Sequence, residues 1–356
     1  MTPRERLRRA VRREGPDRVP KVLHGELVGY VPAVRELLHR QLEGRNPADH
    51  FGFDVRGDDL NPTRRETDWA RYLGEDLPAG TNVDEWGVAW VPGSAYHFAK
   101  MRHPLREAAS VAEIEAYPLP DRTADARYAG LGERVRARHE QGLAVGVFAG
   151  SIFEQTWYLR GMDQVLMDMT AGDAVTEALF ERVTHLLVEV AGRLAGLGVD
   201  VLVLGDDVGT QRGMLMRPAL WRRVLKPRLA QVIAAAKAAA EDVILFYHSD
   251  GDIRAVVPEL IEIGVEALNP VQPECMDPAE LKRVYGDRLS FWGTVGTQST
   301  LPLGTPEDVR QEVRRRIETV GRGGGLVLSP THVLEPDVPW ENIVAFFDAV
   351  ETFGRY

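Results

Sequence analysis

The residues of this 356-residue chain best suited to chemistry stand just past short apolar runs. In Asp242-Val-Ile-Leu-Phe-Tyr-His-Ser-Asp-Gly-Asp252, a wholly apolar run from Val243 to Tyr247 is followed at once by an imidazole, a hydroxyl and two carboxylates. His24, His332 and the single cysteine, Cys275, occupy similar places. His248, Cys275 and His332, with Glu26 or Asp250 as a further ligand, supply the N, S and O donors that zinc accepts. An open fourth position would make such an ion catalytic. The metal-free alternative is acid–base work. His332, His24 and a carboxylate, Asp54 or Asp207, would shuttle a proton to and from carbon, with Arg56 or Arg212 clamping a substrate carboxylate. No close pair such as His-x-x-x-His supports the metal. Cys275 could be a small buried hydrophobe, and His248 with Asp250 could merely cap a helix expected over 253–263.

Such groups act together only if the fold gathers them. Eight short β-forming runs are expected, at about 19–23, 51–55, 143–148, 199–204, 243–247, 265–268, 289–292 and 325–328. Helical segments separate the last six. That alternation predicts an α/β fold, a (β/α)8 TIM barrel whose active site lies at the C-terminal ends of the strands. The tips then offer His24 and Glu26; Asp54 and Arg56; Ser151 and Glu154; Asp206 and Asp207; His248 and Asp250. Asn269, Gln272, Cys275, Thr294, Gln298 and His332 complete the ring. Trp157, Tyr158, Tyr247, Gln272 and Gln298 are the expected substrate contacts beside Arg56. An open doubly wound sheet is the second choice, weakened because no Gly-x-Gly-x-x-Gly follows a strand. Gly321-Arg-Gly-Gly-Gly325 precedes its strand and reads as a turn.

Two stretches break the rhythm. Thr2 to Arg13 reads as a surface helix ended by Gly15-Pro16. From about 61 to 141 the pattern loosens into an antiparallel insertion around Pro92-Gly93, with Trp86, Trp90, Tyr96 and Phe98 either covering a pocket or packing the insertion onto the body. Lys+Arg 43 against Asp+Glu 53 gives a formal charge of −10, a poor surface for a nucleic acid. No apolar run reaches the ~18 residues of a membrane span. The N-terminus has no secretory h-region. One cysteine excludes an intramolecular disulfide and points to the cytoplasm.

Several stretches carry a resemblance: Gly205-Asp-Asp-Val-Gly-Thr-Gln-Arg-Gly-Met-Leu-Met-Arg-Pro218, Tyr247-His-Ser-Asp-Gly251, Phe291-Trp-Gly-Thr-Val-Gly-Thr-Gln298, Gly323-Gly-Gly-Leu-Val-Leu-Ser-Pro-Thr-His332 and Pro339-Trp-Glu-Asn342. Their order and spacing resemble the uroporphyrinogen decarboxylase superfamily, which includes cobalamin-dependent methyltransferases. The resemblance implies a single barrel domain over 1–356, with the insertion at about 61–141. True porphyrinogen decarboxylases carry an arginine-bearing Arg-Gln-Ala-Gly-Arg segment at the first strand end. This chain has His24-Gly-Glu-Leu-Val-Gly-Tyr30, and Glu26 would repel a polycarboxylate, so uroporphyrinogen itself is not the expected substrate. The methyltransferase branch binds zinc through a His-x-Cys pair and a later Cys. Here those positions read His248-x-Asp250 and Thr331-His332, a harder ligand set.

The resemblance therefore implies zinc-assisted methyl or one-carbon transfer on a small substrate, with a corrinoid or folate as methyl carrier and a corrinoid protein as a partner. A cofactor-free decarboxylase of a small carboxylic acid is the alternative, and a homodimer is left open.

Overall fold

The computed structural model describes residues 1–63, 66–95 and 98–356. Tyr96 and the side chain of Phe98, expected to pack the insertion, lie outside what is described. The strands in chain order are β1 (Val55–Asp58), β2 (Asn82–Val83), β3 (Ala89–Ala95), β4 (Phe98–Arg102), β5 (Ala144–Gly150) and β6 (Val201–Gly205). They continue as β7 (Gly209–Thr210), β8 (Gly213–Met214), β9 (Ile244–His248), β10 (Ala267–Asn269), β11 (Ser290–Val295) and β12 (Leu326–Pro330).

Seven of them form one sheet in the order β1-β5-β6-β9-β10-β11-β12, every neighbouring pair parallel. β6 and β11 are buried at every position, as expected of strands covered on both faces. The eighth stave is the expected run 19–23, which forms no full ladder. Val22 N–H donates to Leu328 O (3.1 Å), Leu328 N–H to Pro20 O (2.8 Å), and Asp54 N–H to Lys21 O (3.1 Å). Pro20 has no N–H to give, so pairing shrinks to the single Lys21–Leu328 bridge. The barrel closes nonetheless, because this segment bonds both to β12 and to the residue that enters β1. Between β1 and β5 the chain forms the antiparallel sheet β2-β3-β4. The Trp86 and Tyr117 ends of this region are buried, with Tyr117 Oη donating to Trp86 O (2.5 Å).

Most strand limits fall within a few residues of expectation, but the second does not. Asn46 caps the helix Pro47–His50, Gly52 turns the chain at φ 64°, and β1 starts only at Val55. Asp54 therefore stands at the N-terminal end of its strand, opposite the mouth. Its 1% exposed carboxylate accepts Arg6 Nη1 (2.6 Å) and Lys21 N–H (2.9 Å). Arg56 is drawn the same way, donating to Phe53 O (2.7 Å) and Asp49 (2.9 Å). Neither faces a substrate pocket. The reason is that a strand slipped by a few residues hands its polar groups to the other end of the barrel.

The N-terminal helix, Pro3–Arg12, also departs from expectation. Thr2 and Glu5 make its capping box, yet Leu7 and Ala10 are fully buried. It plugs the N-terminal end of the barrel rather than riding on the surface. Arg4 Nε donates to Asp200 (2.7 Å), and Gly325 N–H to Ala10 O (2.8 Å). Asp54→Ala would strip Arg6 Nη1 and the Lys21 amide of their partner in this plug, leaving Arg6 only its Asp17 pair. The expected loss is about 3–5 kcal/mol of unfolding free energy, as for other broken buried ion pairs. Urea unfolding measures it, and an unchanged midpoint would show that the pair contributes nothing.

Candidate active site at the barrel mouth

His248 is the last residue of β9 and lies level with Asn269, the last of β10. The Asn269 amide donates Nδ2 to Trp292 O (2.8 Å), which turns its Oδ1 toward His248 Nδ1 (2.5 Å). Nδ1 thus carries the proton, and Nε2 presents its lone pair to the mouth. Nε2 stands 3.4 Å from Asp207 Oδ1 and 3.8 Å from Asp250 Oδ1. Asp250 is positioned through its backbone, its N–H donating to Asp207 Oδ1 (2.8 Å). It caps no helix: the following 3-10 turn, Arg254–Val256, starts from Ile253 without a side-chain cap.

Two glycines let the loops after β6 and β9 meet. A Cβ on Gly209 would sit 2.4 Å from Asp250 O, and one on Gly251 (φ 80°) 2.5 Å from the carbonyl carbon of Gly209. Side chains there would drive the loops apart.

His332 arrives from β12. Its position is held by Thr331, whose N–H donates to Val295 O (2.9 Å). One ligand atom each from His248, Asp250 and His332 lies within 4.8 Å of the others, the single such grouping among the described residues. Asp250 Oδ1 is buried there without a hydrogen-bond partner. His24, 3% exposed, stacks on His248 (ring centroids 5.2 Å apart, 23° between planes) and lies 5.9 Å from His332.

The electrostatics divide the three rings. Burial, with His248 and His332 as further cationic neighbours, holds His24 well below the ordinary histidine range. Burial also lowers His332, against the pull of Asp250. At His248 burial works the same way, but Asp207 and Asp250 outweigh it and raise the pKa.

One carboxylate here had no role in the sequence reading beyond its strand-tip place. Glu154 lies in the first turn of the helix Phe153–Arg160. Its N–H donates to Asp206 Oδ1 (3.0 Å), and its side chain accepts Tyr158 Oη (3.0 Å). Burial, then Asp207, pushes it up to about 7. The signal that could have found it is the same one that found His248, an ionisable group just beyond an apolar run.

Other expected members stand apart from the trio. Glu26 accepts Gly57 N–H (3.3 Å) and Tyr30 Oη (3.2 Å) and is not in the ligand grouping. Cys275 Sγ donates to Gln211 Oε1 (3.1 Å) and lies outside the ligand grouping; burial, then Glu274, push the thiol up to about 11. Gln272 accepts Gly251 N–H (2.8 Å) and so supports the loop. Tyr247 is buried, its Oη 3.4 Å from Asp206 O. Trp157 packs edge-on to Tyr158 at 4.3 Å. Gln298 and Arg212 are exposed. Asp54 and Arg56 stay at the other end.

This chain is similar to two kinds of known protein, methyltransferases and uroporphyrinogen decarboxylases. Methylcobamide:CoM methyltransferase MtaA of Methanosarcina barkeri is 28% identical over 170 residues, 48% of this chain and 47% of that protein. The matched stretch thus spans about half the length of that relative. Uroporphyrinogen decarboxylase of Coxiella burnetii is 23% identical over 98% of this chain and 95% of that one. Among solved structures, a methyltransferase from Methanosarcina mazei superposes over 99% of both chains with a TM-score of 0.69 at 18% identity, which confirms the barrel. The family description Uroporphyrinogen decarboxylase (URO-D) matches residues 81–353. That span is well over half of the sequence, and the chain belongs to the uroporphyrinogen decarboxylase family.

Proposed function

We propose that this protein is a metal-assisted methyl or one-carbon transferase, with His248, Asp250 and His332 holding a zinc ion at the barrel mouth. The observation that carries the reading is the convergence of His248 and Asp250, at the end of β9, with His332, just past the end of β12. The residues fit the ion. His248 offers Nε2 because Asn269 occupies Nδ1, the second-shell bond that orients a ligating imidazole. Asp250 has an oxygen with no other partner. A two-imidazole, one-carboxylate set leaves a position free for substrate.

When bound, the ion would supply Lewis acidity toward a heteroatom of the substrate, and a set without thiolate favours oxygen or nitrogen over sulfur. The chain's own residues do the remaining work. Asp207 fixes Asp250 through its amide and faces His248. His24, neutral and stacked, walls the imidazoles against the barrel interior. Glu154 and Tyr158, bonded to each other, stand on the helix that follows the C-terminal end of β5. The names of the methyltransferase relatives favour a corrinoid as methyl carrier, brought by a partner protein, over a folate. Decarboxylation of a small acid is less well served, because the carboxylate clamp expected of Arg56 is committed to Asp49 and Phe53.

Equilibrated with zinc and desalted, the protein is expected to retain about one ion per chain, and His248→Ala or Asp250→Ala to retain little. Asn269→Ala should weaken zinc about 10–100-fold through loss of the orienting bond. Metal content unchanged by His248→Ala would end the reading.

The pH dependence has a definite sign. His248 must be neutral to ligate, and its neighbours raise its pKa, so protons compete with zinc up to that raised value. Zinc affinity is expected to climb with pH through the neutral range and level off above it, with proton release on binding. A flat profile measured by competition with a chelating dye would contradict this. Chelation should abolish turnover and zinc restore it, whereas full activity in EDTA would return the case to a metal-free decarboxylase.

A further inference from the structure

The stretch Gly209-Thr-Gln-Arg-Gly-Met-Leu-Met-Arg-Pro218 supplies no donor to the trio, yet it sets apolar and cationic side chains on the loop after β6. Gly209 pairs with Met214 and Thr210 with Gly213 in the β7-β8 hairpin. The hairpin leans on the loop that carries Asp250, whose Asp252 N–H donates to Thr210 O (2.8 Å). Leu215, Met216 and Arg217 then lead out to the helix Pro218–Val224.

This segment is flanked by open space on two sides. A cavity of about 740 Å³ lies between it and the helix Met162–Ala171, walled by Leu166, Leu215, Met216 and Leu220. A second, of about 600 Å³, runs from the same Leu215 and Met216 to Asp252 and Ala255. Each alone fills the range of a small-molecule pocket, and joined at shared residues they form a trough. Met167, beside Leu166, is 57% exposed. Leucine and methionine gathered at such a depression mark a protein contact.

Charge says what kind of protein. The chain carries a formal −10. Three of the four charged residues lining the trough are nonetheless arginines, Arg217, Arg223 and Arg254, against Asp252. Asp252 is taken up by Arg254 (2.7 Å). Arg223 donates to Met169 O (2.6 Å) and, like Arg217, is exposed with no carboxylate partner among the described residues. Two unanswered positive charges therefore stand over an apolar floor, in a molecule that as a whole repels acidic proteins. An acidic segment with an apolar edge is the complement. A polyanion without apolar groups would leave the leucines and Met216 uncovered.

We propose that this trough is a docking site for a protein partner, which enters it with an acidic, amphipathic helical segment. The trough ends at Asp252, two residues from Asp250, so a partner seated there stands at the rim of the barrel mouth.

Fluorescence anisotropy of labelled synthetic peptides titrated with the full chain tests this. Three peptides of about fifteen residues share one helical scaffold. The first has leucines at i, i+4, i+7 and i+11 with glutamates on the other face. The second replaces the glutamates by lysines, and the third replaces the leucines by serines. The acidic leucine peptide is expected to bind saturably, and about tenfold or more tighter than either of the others. Arg217→Glu and Leu220→Ser should each weaken it about tenfold. Thermal melting and zinc retention check that each variant is folded at the mouth, and if Leu220→Ser is not, the exposed Arg217→Glu decides alone. A lysine or serine peptide binding as tightly, no saturable binding of the acidic one, or undiminished binding by Arg217→Glu would each overturn the proposal. Zinc retained without peptide binding would sink this inference alone, and peptide binding without zinc would sink the metal reading alone.

Discussion

The contact on which the mouth depends is the narrow pairing of residues 19–23 with β12. Leu328 accepts from Val22 N–H and donates to Pro20 O, two backbone hydrogen bonds around Lys21, and that is enough to turn an open parallel sheet into a closed ring. Closure sets His24 over the rings of His248 and His332. In an open sheet, β12 and β9 would point their imidazoles along diverging strands, because adjacent strands are rotated by the twist. The same segment is anchored from below, where Lys21 pairs with Glu351 and its amide with Asp54.

The histidines then find themselves in unequal surroundings despite their proximity. Only His248 has two carboxylates at its free nitrogen, and only it is raised. His24 and His332 are kept neutral by burial. Packing three imidazoles this closely is possible because the cluster never has to carry three positive charges at once. The buried carboxylates nearby face the opposite difficulty; the amides at the start of the Phe153–Arg160 helix offset it only in part for Asp206, which burial holds well above the ordinary carboxylate range.

Much of this was legible in the residue order. Runs such as Val243 to Tyr247 are apolar on both faces, and that signal survives whatever the tertiary context. It located β5, β6, β9, β10, β11 and β12, and with them His248, Asp250 and His332. The second run failed because Phe51-Gly-Phe-Asp-Val55 looks β-forming throughout, while Asn46 and Gly52 use its first residues for a helix cap and a turn. Asp54 and Arg56 were carried to the wrong end by that slip. Cys275 stands outside the trio for another reason: no spacing tells whether a sulfur near a strand end turns inward or, as here, toward Gln211. Glu154 was visible but unranked, since its importance comes from Asp207 and Tyr158, distant or one turn away, rather than from its neighbours in sequence. The N-terminal helix looked like a surface element because its charges outnumber its apolar residues. Those charges in fact answer Asp54 and Asp200 beneath the barrel.

The backbone contact between Gly209 and Gly251 has a mechanical meaning. With no side chain between them to yield, the loop that carries Asp207 and the loop that carries Asp250 are coupled like two links of one hinge plate. A side chain at either position would part the two loops, and with them the spacing of Asp207 and Asp250 about His248.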